Sequence, residues 1–466
     1  MIYFENKTVH FIGIGGIGMS AIAEALKSMG ISVQGSNDAE NANTIRLRNN
    51  GIPVFIGHDN PDNLKNADVV IISTAISDKN PELIEAKRLG LPIGHRAEML
   101  AQLLRYKQGI AVAGTHGKTT TSSLISFLLE KGNFDPSFIV GGILNDYGTN
   151  SRVGKSNWLA VEADESDGSF LRLHKMISVV TNIDSEHMDY YQSFDKLTSA
   201  FELFLQTTSF YGFCVVCADH PVALEVAQRI KNRTIITYGL SDNADVQAVN
   251  IQSPQAGLFT FDVINNGEKY ENFKLPMFGK HNVQNALAAI TVANRLGMTM
   301  EDIKTSLENF HGVQRRFTPR GQYNGALIFD DYAHHPEEIK ATLRAAKDGS
   351  QGHKVLSVFQ AHRYTRAKDL MDGFASSFND ADVVLVADIY AAGEEPIDGV
   401  TQQALFDKIK ASGHPNVLMI KDKSELPDFI DKYASSGDLV IGLGAGDISK
   451  WMQELGQLST KKEQNV

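Results

Sequence analysis

Short apolar runs alternate with amphipathic, helix-length segments along nearly the whole chain. Runs such as TVHFIGI and ADVVIIS are almost continuously apolar, which is typical of strands buried on both faces of a parallel sheet. Between two such runs, Ile22, Leu26 and Met29 fall on one face of a helix that Gly30 ends. The pattern therefore predicts an α/β protein whose sheets are mostly parallel.

The predicted strands form three blocks, and 466 residues is more chain than a single hydrophobic core accommodates. The first block ends near RYKQG, the second opens with GIAVAGT and closes near GVQRRF, and the third runs from ALIFDDY to DLVIGLGAG. We expect a Rossmann-like domain over residues 1–107, a P-loop-type domain over 108–317 and a doubly wound, Rossmann-like domain over 318–466. The last residues, LSTKKEQNV, are predicted to be a frayed tail.

Composition and charge narrow the classes of partner. Lys and Arg total 44 against 55 for Asp and Glu, a net charge of −11, so no nucleic-acid partner is expected. The N-terminus lacks the basic start of a signal peptide, and no apolar run approaches the roughly 20 residues that span a bilayer. These features predict a cytoplasmic protein that does not bind membranes, which fits its use of two cysteines.

The two cysteines, Cys214 and Cys217, form a C-x-x-C inside the apolar run FCVVCAD. Residues three apart on a strand point to opposite faces, so this spacing serves a redox pair or a metal site poorly. We expect both thiols to be buried parts of the core.

A glycine-rich loop follows the first predicted strand. Gly13, Gly15 and Gly18 fit G-x-G-x-x-G between a strand and a helix, Gly16 adds a fourth glycine, and Asp38 follows twenty positions after Gly18. Such loops let backbone N–H groups and a helix N-terminus approach a pyrophosphate. A nicotinamide dinucleotide and a UDP-sugar both present a ribose and a pyrophosphate, so the loop by itself leaves an oxidoreductase open.

A second loop, GTHGKTT, opens the second block between a strand and a helix. It predicts backbone donors around the phosphates of ATP, a charge from Lys118 on the β- and γ-phosphates, and a Thr119 hydroxyl that can bind Mg²⁺. Val112 stands where the full G-x-x-x-x-G-K-[ST] pattern has glycine, so the loop is a shortened form. The predicted ATP loop consists of Gly114, Thr115, His116, Gly117, Lys118, Thr119 and Thr120.

Two acidic clusters follow predicted strands in the same block. VEADESDGSF carries Glu162, Asp164, Glu165 and Asp167, and TNIDSEHMDYY carries Asp184, His187 and Asp189. The carboxyl ends of neighbouring parallel strands meet at one edge of a sheet, where ligands bind. We therefore expect metal or phosphate chemistry beside the second loop.

Taken together, the motifs identify a resemblance to the Mur ligases of peptidoglycan synthesis, covering nearly the whole chain. It is carried, in chain order, by HFIGIGGIGMS, GTHGKTTT, EADESD, TNIDSEHMD, GKHNVQNALAA, RRF, DDYAHHP, FQAHRYTR and DIYAAGE. The resemblance implies ligation of L-alanine to the carboxylate of UDP-N-acetylmuramic acid through an acyl phosphate. It also implies ATP and Mg²⁺ as cofactors, a role in cytoplasmic cell-wall precursor synthesis, and a monomer or weak homodimer.

The resemblance also implies roles for individual residues. A UDP-binding site in the N-terminal domain would comprise Gly13, Gly15, Gly16, Gly18, Met19, Ser20, Ser36, Asp38, Ser73, His95 and Arg96. Beyond the second loop, contacts to ATP would come from Asn282, Asn285, Arg316, Asp331 and Tyr332. Thr119 and Glu162 would bind one magnesium ion and His187 a second. The catalytic group would comprise Lys118, His187, His334, Arg363 and Arg366, in a third domain that binds the amino acid.

Three other functions compete with this one. A murein-peptide recycling ligase would use the same chemistry with a preformed peptide in place of alanine. A nicotinamide-dependent oxidoreductase would bind its cofactor at the first glycine loop. A non-catalytic nucleotide sensor would use the second loop as a switch, but it would have no need of the two acidic clusters. Lys196 and Glu202 lie in the helix after His187, and neither is assigned the role of a carbamylated lysine.

Overall fold

The structure is a computed structural model that describes residues 6–463. Its N-terminal part has a five-stranded parallel sheet in the order β3-β2-β1-β4-β5. The strand order reverses between β1 and β4, which opens a crevice at their carboxyl ends. The elements are β1 (Thr8–Ile12), α1 (Ile17–Ser28), β2 (Ser32–Asn37), α2 (Ala42–Asn49), β3 (Val54–Ile56), β4 (Val69–Ile72), α3 (Pro81–Arg88), β5 (Ile93–His95) and α4 (Arg96–Arg105).

The central part is built on a ten-stranded mixed sheet in the order β15-β14-β13-β12-β11-β10-β6-β9-β7-β8. Strands β6, β9, β10, β11 and β12 are parallel, and β8 runs antiparallel to β7 at one edge. The elements are β6 (Gln108–Ala113), α5 (Lys118–Lys131), β7 (Ser137–Leu144), β8 (Thr149–Arg152), β9 (Trp158–Glu162), β10 (Ile177–Val180), α6 (Met188–Tyr191), α7 (Phe194–Gln206), β11 (Phe213–Cys217), α8 (Pro221–Arg229), β12 (Thr234–Gly239), β13 (Val246–Gln255), β14 (Leu258–Asn265), β15 (Glu268–Leu275), α9 (Lys280–Arg295) and α10 (Met300–Leu307).

The C-terminal part has a six-stranded sheet in the order β16-β17-β21-β18-β19-β20, in which β16 alone is antiparallel to its neighbour. The elements are β16 (Thr318–Tyr323), β17 (Ala326–Asp331), α11 (Pro336–Gly349), β18 (Val355–Phe359), α12 (Tyr364–Asp369), α13 (Met371–Ala375), β19 (Val383–Val386), α14 (Gln402–Ala411), β20 (Val417–Met419), α15 (Leu426–Tyr433), β21 (Leu439–Leu443) and α16 (Ile448–Glu463).

The predicted α/β class, with three sheets along the chain, is confirmed. Strand β19 shows why its run is continuously apolar, because Val384 and Val386 pack into the core on one face of the sheet and Val383 and Leu385 into the core on the other. The helix predicted from Ile22 and Leu26 is α1, and both side chains are buried.

Two expectations for particular segments have clear outcomes. Cys214 and Cys217 are free, buried residues of β11, as predicted. The prediction of a frayed C-terminal tail is wrong as far as Glu463, because α16 continues through that residue. Residues 464–466 lie outside the described part of the chain.

The chain divides into two compact units. The first comprises the residues up to Val249 together with Asp262–Phe273 and Gln284–Phe310. The second comprises Asn250–Phe261, Lys274–Val283 and the residues from His311 onward. Within residues 6–463, no helix is long and apolar enough to cross a membrane.

Candidate active site

The first glycine loop turns tightly between β1 and α1. Gly13 has φ +78°, and its N–H and that of Ile14 both donate to the carbonyl oxygen of Ser36, at 2.9 and 2.8 Å. The Gly15 N–H donates to Asn37 Oδ1 at 3.0 Å, and a Cβ at position 15 would lie 2.8 Å from that oxygen. The loop thus lies close against the end of β2, and only glycine fits this approach.

A cationic side chain lies over the loop from α4. A Cβ on Gly18 would come within 3.0 Å of Arg96 Nη1, so the guanidinium rests against the first turn of α1. His95 caps α4 by accepting from the Ala97 N–H at 3.3 Å, and its Nε2 atom is buried without a hydrogen-bond partner. A positive charge beside the N-terminus of α1 suits an anionic ligand.

The other residues predicted for the UDP-sugar differ in exposure. Met19, Ser20 and Ser36 are buried, whereas Asp38 is exposed just beyond β2 and Ser73 is half-buried just beyond β4. The Asp38 carboxylate accepts the N–H of Ala39 at 2.9 Å. All lie at or beyond the carboxyl ends of β1, β2 and β4, or in the first turn of α1.

A buried polar network beneath the loop was not predicted from the sequence. Glu82, fully buried in the first turn of α3, accepts hydrogen bonds from the Ser36 hydroxyl and from Asn63 Nδ2, and lies 3.4 Å from His10 Nε2. Burial alone would raise the pKa of Glu82, but its bonds with His10, Ser36 and Asn63 hold that pKa below its ordinary value. The Glu82 carboxylate therefore stays ionised although it is fully buried.

The second loop closes over the carboxyl end of β6. Gly114 has φ +133°, and a side chain there would collide with Thr181 Oγ1. Gly117 has φ +81°, and a Cβ there would lie 2.7 Å from Asn285 Oδ1. The His116 N–H donates to Asn182 Oδ1 at 2.7 Å. The second loop is therefore a tight turn between β6 and α5, with Asn285 against it.

Lys118 lies in the concave side of this loop. Its Nζ donates to the carbonyl oxygens of Gly114 and Thr115, at 2.6 and 3.2 Å, and to Glu165 Oε1 at 2.9 Å. Burial would lower the pKa of Lys118, but the charges of Glu165 and Glu162 raise it, so the ammonium stays protonated. The other oxygen of Glu165 is buried without a hydrogen-bond partner.

Thr119, in the first turn of α5, pairs with Glu162, the last residue of β9. The Thr119 hydroxyl donates to Glu162 Oε2 at 2.9 Å, and the Gly141 N–H donates to the same oxygen at 2.8 Å. A hydroxyl and a carboxylate are hard oxygen donors of the kind that Mg²⁺ accepts together with phosphate oxygens and water. Within residues 6–463, no three acidic, histidine or cysteine side chains form a metal-binding group.

The structure separates the members of the second acidic cluster. His187, in the left-handed conformation at φ +57°, points its Nε2 toward Glu165 Oε1 at 3.9 Å. Asp184 instead lies between two histidines, 3.6 Å from His116 Nε2 and 3.2 Å from His220 Nε2. The hydrogen bond from His220 lowers the pKa of Asp184, so Asp184 supports the nucleotide loop as an anion.

The predicted asparagine pair of α9 has two environments. Asn285 Oδ1 accepts from the Thr121 hydroxyl at 3.2 Å, beside the loop. Asn282, three positions earlier in the helix, uses its Nδ2 to donate to the carbonyl oxygen of Phe278 at 2.7 Å.

A second set of predicted residues gathers in the C-terminal part, at the end of β17. Asp331 is buried and accepts the N–H groups of Phe317 and Ala333, both at 2.8 Å, and burial raises its pKa to about 6. The neighbouring Tyr332 lies under two guanidinium groups, with Arg315 at 4.6 Å and Arg316 at 6.0 Å from the ring centre.

Arg315 was missed in the sequence, although it adjoins the predicted Arg316. Its Nη2 donates to the carbonyl oxygens of Gly444 and Gly446, at 2.6 and 3.3 Å, which fixes the turn after β21. The doublet of arginines in RRF was the available signal, but spacing alone could not assign the two side chains to different tasks.

His334 has a defined tautomer in this group. Its Nδ1 lies 3.0 Å from the carbonyl oxygen of Tyr332, which can only accept, so Nδ1 carries the proton and Nε2 keeps its lone pair. Burial lowers the pKa of His334, although Glu338 at 3.4 Å opposes this. The imidazole is therefore neutral near pH 7.

Arg363 and Arg366 lie at the start of α12. Arg363 has φ +70° and its N–H donates to the carbonyl oxygen of Tyr390 at 2.8 Å. Arg366 Nη1 lies 3.4 Å from His362 Nδ1, and burial together with the arginine charges lowers the pKa of His362 to about 4. Two cations beside a neutral histidine form a concentrated positive region that suits carboxylate or phosphate groups.

Comparisons with known proteins cover all three parts of the chain. The model of the Mur ligase family catalytic domain matches residues 8–108, that of the Mur ligase middle domain matches 112–293, and that of the Mur ligase glutamate ligase domain matches 315–446. The chain is 50% identical over 464 residues to the UDP-N-acetylmuramate–L-alanine ligase of Agrobacterium fabrum, covering 98% of each. It is 52% identical to that of Bartonella tribocorum, covering 95% of this chain and 94% of the relative.

Solved structures agree in fold. The crystal structure of the UDP-N-acetylmuramate–alanine ligase of Thermotoga maritima has a TM-score of 0.82 at 30% identity, covering 98% of this chain and 99% of the other. A murein peptide ligase of Psychrobacter arcticus shares the fold with a TM-score of 0.69 at 23% identity, over 97% and 98%. From the order of the loops, the geometry around Lys118 and these matches, the chain belongs to the Mur ligase family.

Proposed function

We infer that this chain joins L-alanine to the carboxylate of UDP-N-acetylmuramic acid with ATP, in the synthesis of peptidoglycan precursors. The observation that carries this inference is the identity of about half of all residues, over nearly the full length, to relatives named for that reaction. The pairing of Lys118 with Glu165, next to the Thr119–Glu162 pair, supports this inference, because a cation and hard oxygen donors lie together there.

The nucleotide-sugar and ATP are proposed to occupy different loops. The loop from Gly13 to Gly18, with Arg96 over it, is the proposed pyrophosphate site of the UDP-sugar, with Met19, Ser20, Ser36, Asp38, Ser73 and His95 around it. The loop from Gly114 to Thr120, with Asn285 against it, is the proposed ATP phosphate site, and Asn282, Arg316, Asp331 and Tyr332 are its proposed further contacts. We propose domain limits at 107/108 and 317/318.

Mg²⁺ is the proposed metal cofactor, held through Thr119 and Glu162, with His187 proposed for a second ion. The hydroxyl and carboxylate of the first pair suit a divalent cation, and the buried, unpartnered Glu165 Oε2 is a further oxygen that can accept from a cation's ligand shell. When bound, magnesium would offset the negative charge of the phosphate oxygens.

The first chemical step is attack by a carboxylate oxygen of the sugar acid on the γ-phosphorus of ATP. The bond from that phosphorus to the β,γ-bridging oxygen breaks, ADP leaves, and an acyl phosphate forms. Lys118, held charged by its carboxylate neighbours, donates to the phosphoryl oxygens as negative charge moves through them.

In the second step the neutral amine of L-alanine attacks the acyl carbon, and inorganic phosphate leaves as the amide forms. We propose that His334 takes the amine proton on Nε2, because its Nδ1 proton is engaged with Tyr332 and its lowered pKa keeps it neutral. Arg363 and Arg366 are proposed to hold carboxylate or phosphate groups.

His334→Gln tests the base. We expect amide formation to fall at least tenfold at pH 7. The native rate should also fall on acidification as His334 takes up a proton, and this dependence should be absent in the variant. An unchanged rate and pH profile in this variant would remove the assignment.

Because the reaction uses ATP and a UDP-sugar, we propose that the protein acts in the cytoplasm, where both are made. We also propose that it is a monomer or weak homodimer.

The remaining alternative with the same chemistry is a recycling ligase that accepts a preformed peptide. Competition between L-alanine and the murein tripeptide in one assay separates the two, and we expect alanine to be used at least tenfold faster.

The first test is phosphate release from ATP and Mg²⁺ with UDP-N-acetylmuramate and L-alanine supplied singly and together. We expect strong release with both. Release that ignores either substrate, or no release, would contradict the proposed function.

A further inference from the structure

The hairpin of β7 and β8 reaches both nucleotide loops through one buried side chain. Asn150, on β8, is 1% exposed, and its Nδ2 donates to the carbonyl oxygen of Ile17 at 3.2 Å and to that of Val140 at 3.3 Å. A carboxamide has two N–H donors, so the two bonds can form together. Asn150 therefore ties the first residue of α1 to β7.

On β7, the residue that accepts from Asn150 adjoins a residue that contacts the pair proposed to bind magnesium. Val140 precedes Gly141, whose N–H donates to Glu162 Oε2 at 2.8 Å, and that oxygen also accepts from Thr119. A Cβ on Gly141 would lie 2.5 Å from this oxygen, so β7 backbone is in immediate contact with the carboxylate. A small displacement of Val140 and Gly141 would alter the position of Glu162.

On α1, the residue that accepts from Asn150 directly follows the first glycine loop. Ile17 follows Gly16 without an intervening residue, and Gly16 caps α1. A pyrophosphate bound at the N-terminus of α1 would order the first turn of that helix, including the carbonyl group to which Asn150 donates.

Packing between α1 and the hairpin is incomplete. A cavity of about 300 Å³ is lined by Ala21 and Ala25 of α1 and, on the hairpin, by Phe138 and by Thr149 and Ser151, the neighbours of Asn150 in the chain. Because apolar contact is interrupted at this point, the polar bonds around it carry more of the connection.

Two further side-chain bonds join the hairpin to the N-terminal helices. The Ser151 hydroxyl donates to Glu24 Oε2 at 3.1 Å, and Arg46 Nη1 donates to the Thr149 hydroxyl at 3.2 Å. Of these three connections, that of Asn150 is the one whose side chain also donates to β7.

We propose that Asn150 is a positioning residue that couples the UDP-sugar loop to the Thr119–Glu162 pair, so that each bound nucleotide tightens the binding of the other. The inference rests on the proposed function, since it requires both loops to bind their nucleotides. Ordering of α1 by the first ligand fixes Asn150, Val140 and Glu162, and the second ligand then has less chain to order. The coupling is necessarily reciprocal.

The test measures binding without turnover in the full chain. UDP-N-acetylmuramate is titrated by calorimetry with and without saturating Mg²⁺ and a non-hydrolysable ATP analogue, and L-alanine is left out. The ratio of the two Kd values is the coupling factor. We expect about fivefold or more in the native protein, the usual lower range for coupled sites.

Asn150→Ala is expected to bring this ratio within about twofold of one, while each ligand alone binds within about threefold of its native affinity. Asn150→Asp keeps the size of the side chain without its donors and should give the same loss. Ser151→Ala is the matched control, because it removes a hairpin bond that does not reach β7, and it should keep the native ratio.

The outcomes separate the inference from the proposed function. A native ratio of one, or a native ratio retained in both Asn150 variants, overturns the inference. If UDP-N-acetylmuramate fails to bind the native protein at all, the proposed function is wrong. Binding of the ATP analogue alone shows that each variant is folded, and loss of the ratio in Ser151→Ala as well would show general loosening of the hairpin instead of a role for Asn150.

Discussion

Lys175 is a buried lysine in the segment between the two acidic clusters, outside the residues assigned to the site. It is 5% exposed just before β10, its Nζ donates to the Thr207 hydroxyl at 2.9 Å, and it lies 4.2 Å over the ring of Phe204. Burial lowers its pKa to about 7, because the ammonium loses its hydration. This residue therefore opposes folding wherever the unfolded chain would hold it protonated.

Replacement of Lys175 by methionine should stabilise the protein near neutral pH. A folded pKa below the unfolded value of 10.5 means that the unfolded state binds more protons between pH 7 and 10.5, so native stability rises with pH across that window. We expect Lys175→Met to raise the free energy of unfolding by about 2 kcal/mol at pH 7.5, a value that already includes the lost hydrogen bond to Thr207. This increase should disappear by pH 10.5.

Thermal melting at several pH values checks the sign. The Tm of Lys175→Met should exceed the native Tm at pH 7.5 and converge with it as the pH rises. Lys65→Met, at an exposed lysine, is the control and should follow the native curve throughout. A Lys175→Met curve parallel to the native one would contradict the buried charge.

Single residues show where sequence reasoning stops. Lys118 and Thr119 could be predicted because a loop between a strand and a helix fixes their positions by local spacing. Arg315 and Asn150 could not, since their partners lie more than 120 positions away and depend on the packing of side chains. Glu165 was found within an acidic cluster, but its pairing with Lys118 required the fold.

At the scale of elements, the second loop depends on one glycine conformation. Gly114 has φ +133° and no room for a side chain, whereas Gly148, in the turn of the β7–β8 hairpin, has φ +64° and no neighbour near its missing Cβ. Both positions disfavour other residues by backbone strain, but only the first would also collide with Thr181.

Gly114→Ala and Gly148→Ala form a matched pair. We expect Gly148→Ala to cost about 1 kcal/mol of stability and to keep ATP turnover within about threefold. Gly114→Ala should lower turnover at least a hundredfold, because the loop must move away from Thr181. Steady-state phosphate release together with Tm measures both effects, and equal losses of turnover in the two variants would refute this account of the loop.

The N-terminal sheet offers a test through Glu82. Glu82→Gln keeps the size of the side chain but turns an amide donor toward the hydroxyl of Ser36 or the amide of Asn63. We expect a loss of about 1–3 kcal/mol at pH 7. Because the folded pKa of Glu82 is lowered, its stabilisation is present above the unfolded value of 4.5 and fades as the pH falls through the folded value.

Denaturant unfolding at pH 7 and at pH 4 checks this prediction. The free energy of unfolding of the native protein should exceed that of Glu82→Gln by a larger amount at pH 7 than at pH 4. A difference that grows on acidification would mean that the carboxyl is protonated in the folded protein.

The elements themselves were predictable where hydrophobic runs were continuous. Strands β1, β4, β6 and β9 follow from such runs, because parallel strands are buried on both faces. Strands β13–β15 were not predicted, since their alternating and exposed positions resemble loop sequence and their order depends on the sheet edge they extend. The end of α16 was missed because its last turns carry polar residues.

At the scale of the molecule, three sheets in one chain raise the question of where the third begins. Phe317 stacks on Phe278 with ring centres 4.2 Å apart and packs against Phe329 at 5.0 Å. Its N–H also donates to Asp331. Phe317 is half-buried and packs against the core of the C-terminal part, at the proposed limit of 317/318.

Two fragments test that limit. Both fragments lack Phe278, so they compare only the contact of Phe317 with Phe329. The fragment of residues 311–466 keeps Phe317, and that of residues 318–466 lacks it. We expect the longer fragment to be more stable by about 1–3 kcal/mol in urea. Equal stabilities would show that the aromatic contact contributes little and that the limit at 317/318 is adequate.

The buried cysteines have a practical consequence. Burial raises the pKa of Cys217 to about 11 and also raises that of Cys214, so neither sulfur is a thiolate at neutral pH while β11 is intact. An alkylating reagent such as iodoacetamide should therefore modify the protein only as fast as the central sheet opens. The rate at which the two thiols are labelled therefore measures the rate of local opening of the central sheet. Comparing this rate with and without bound nucleotide shows whether the nucleotide slows the opening.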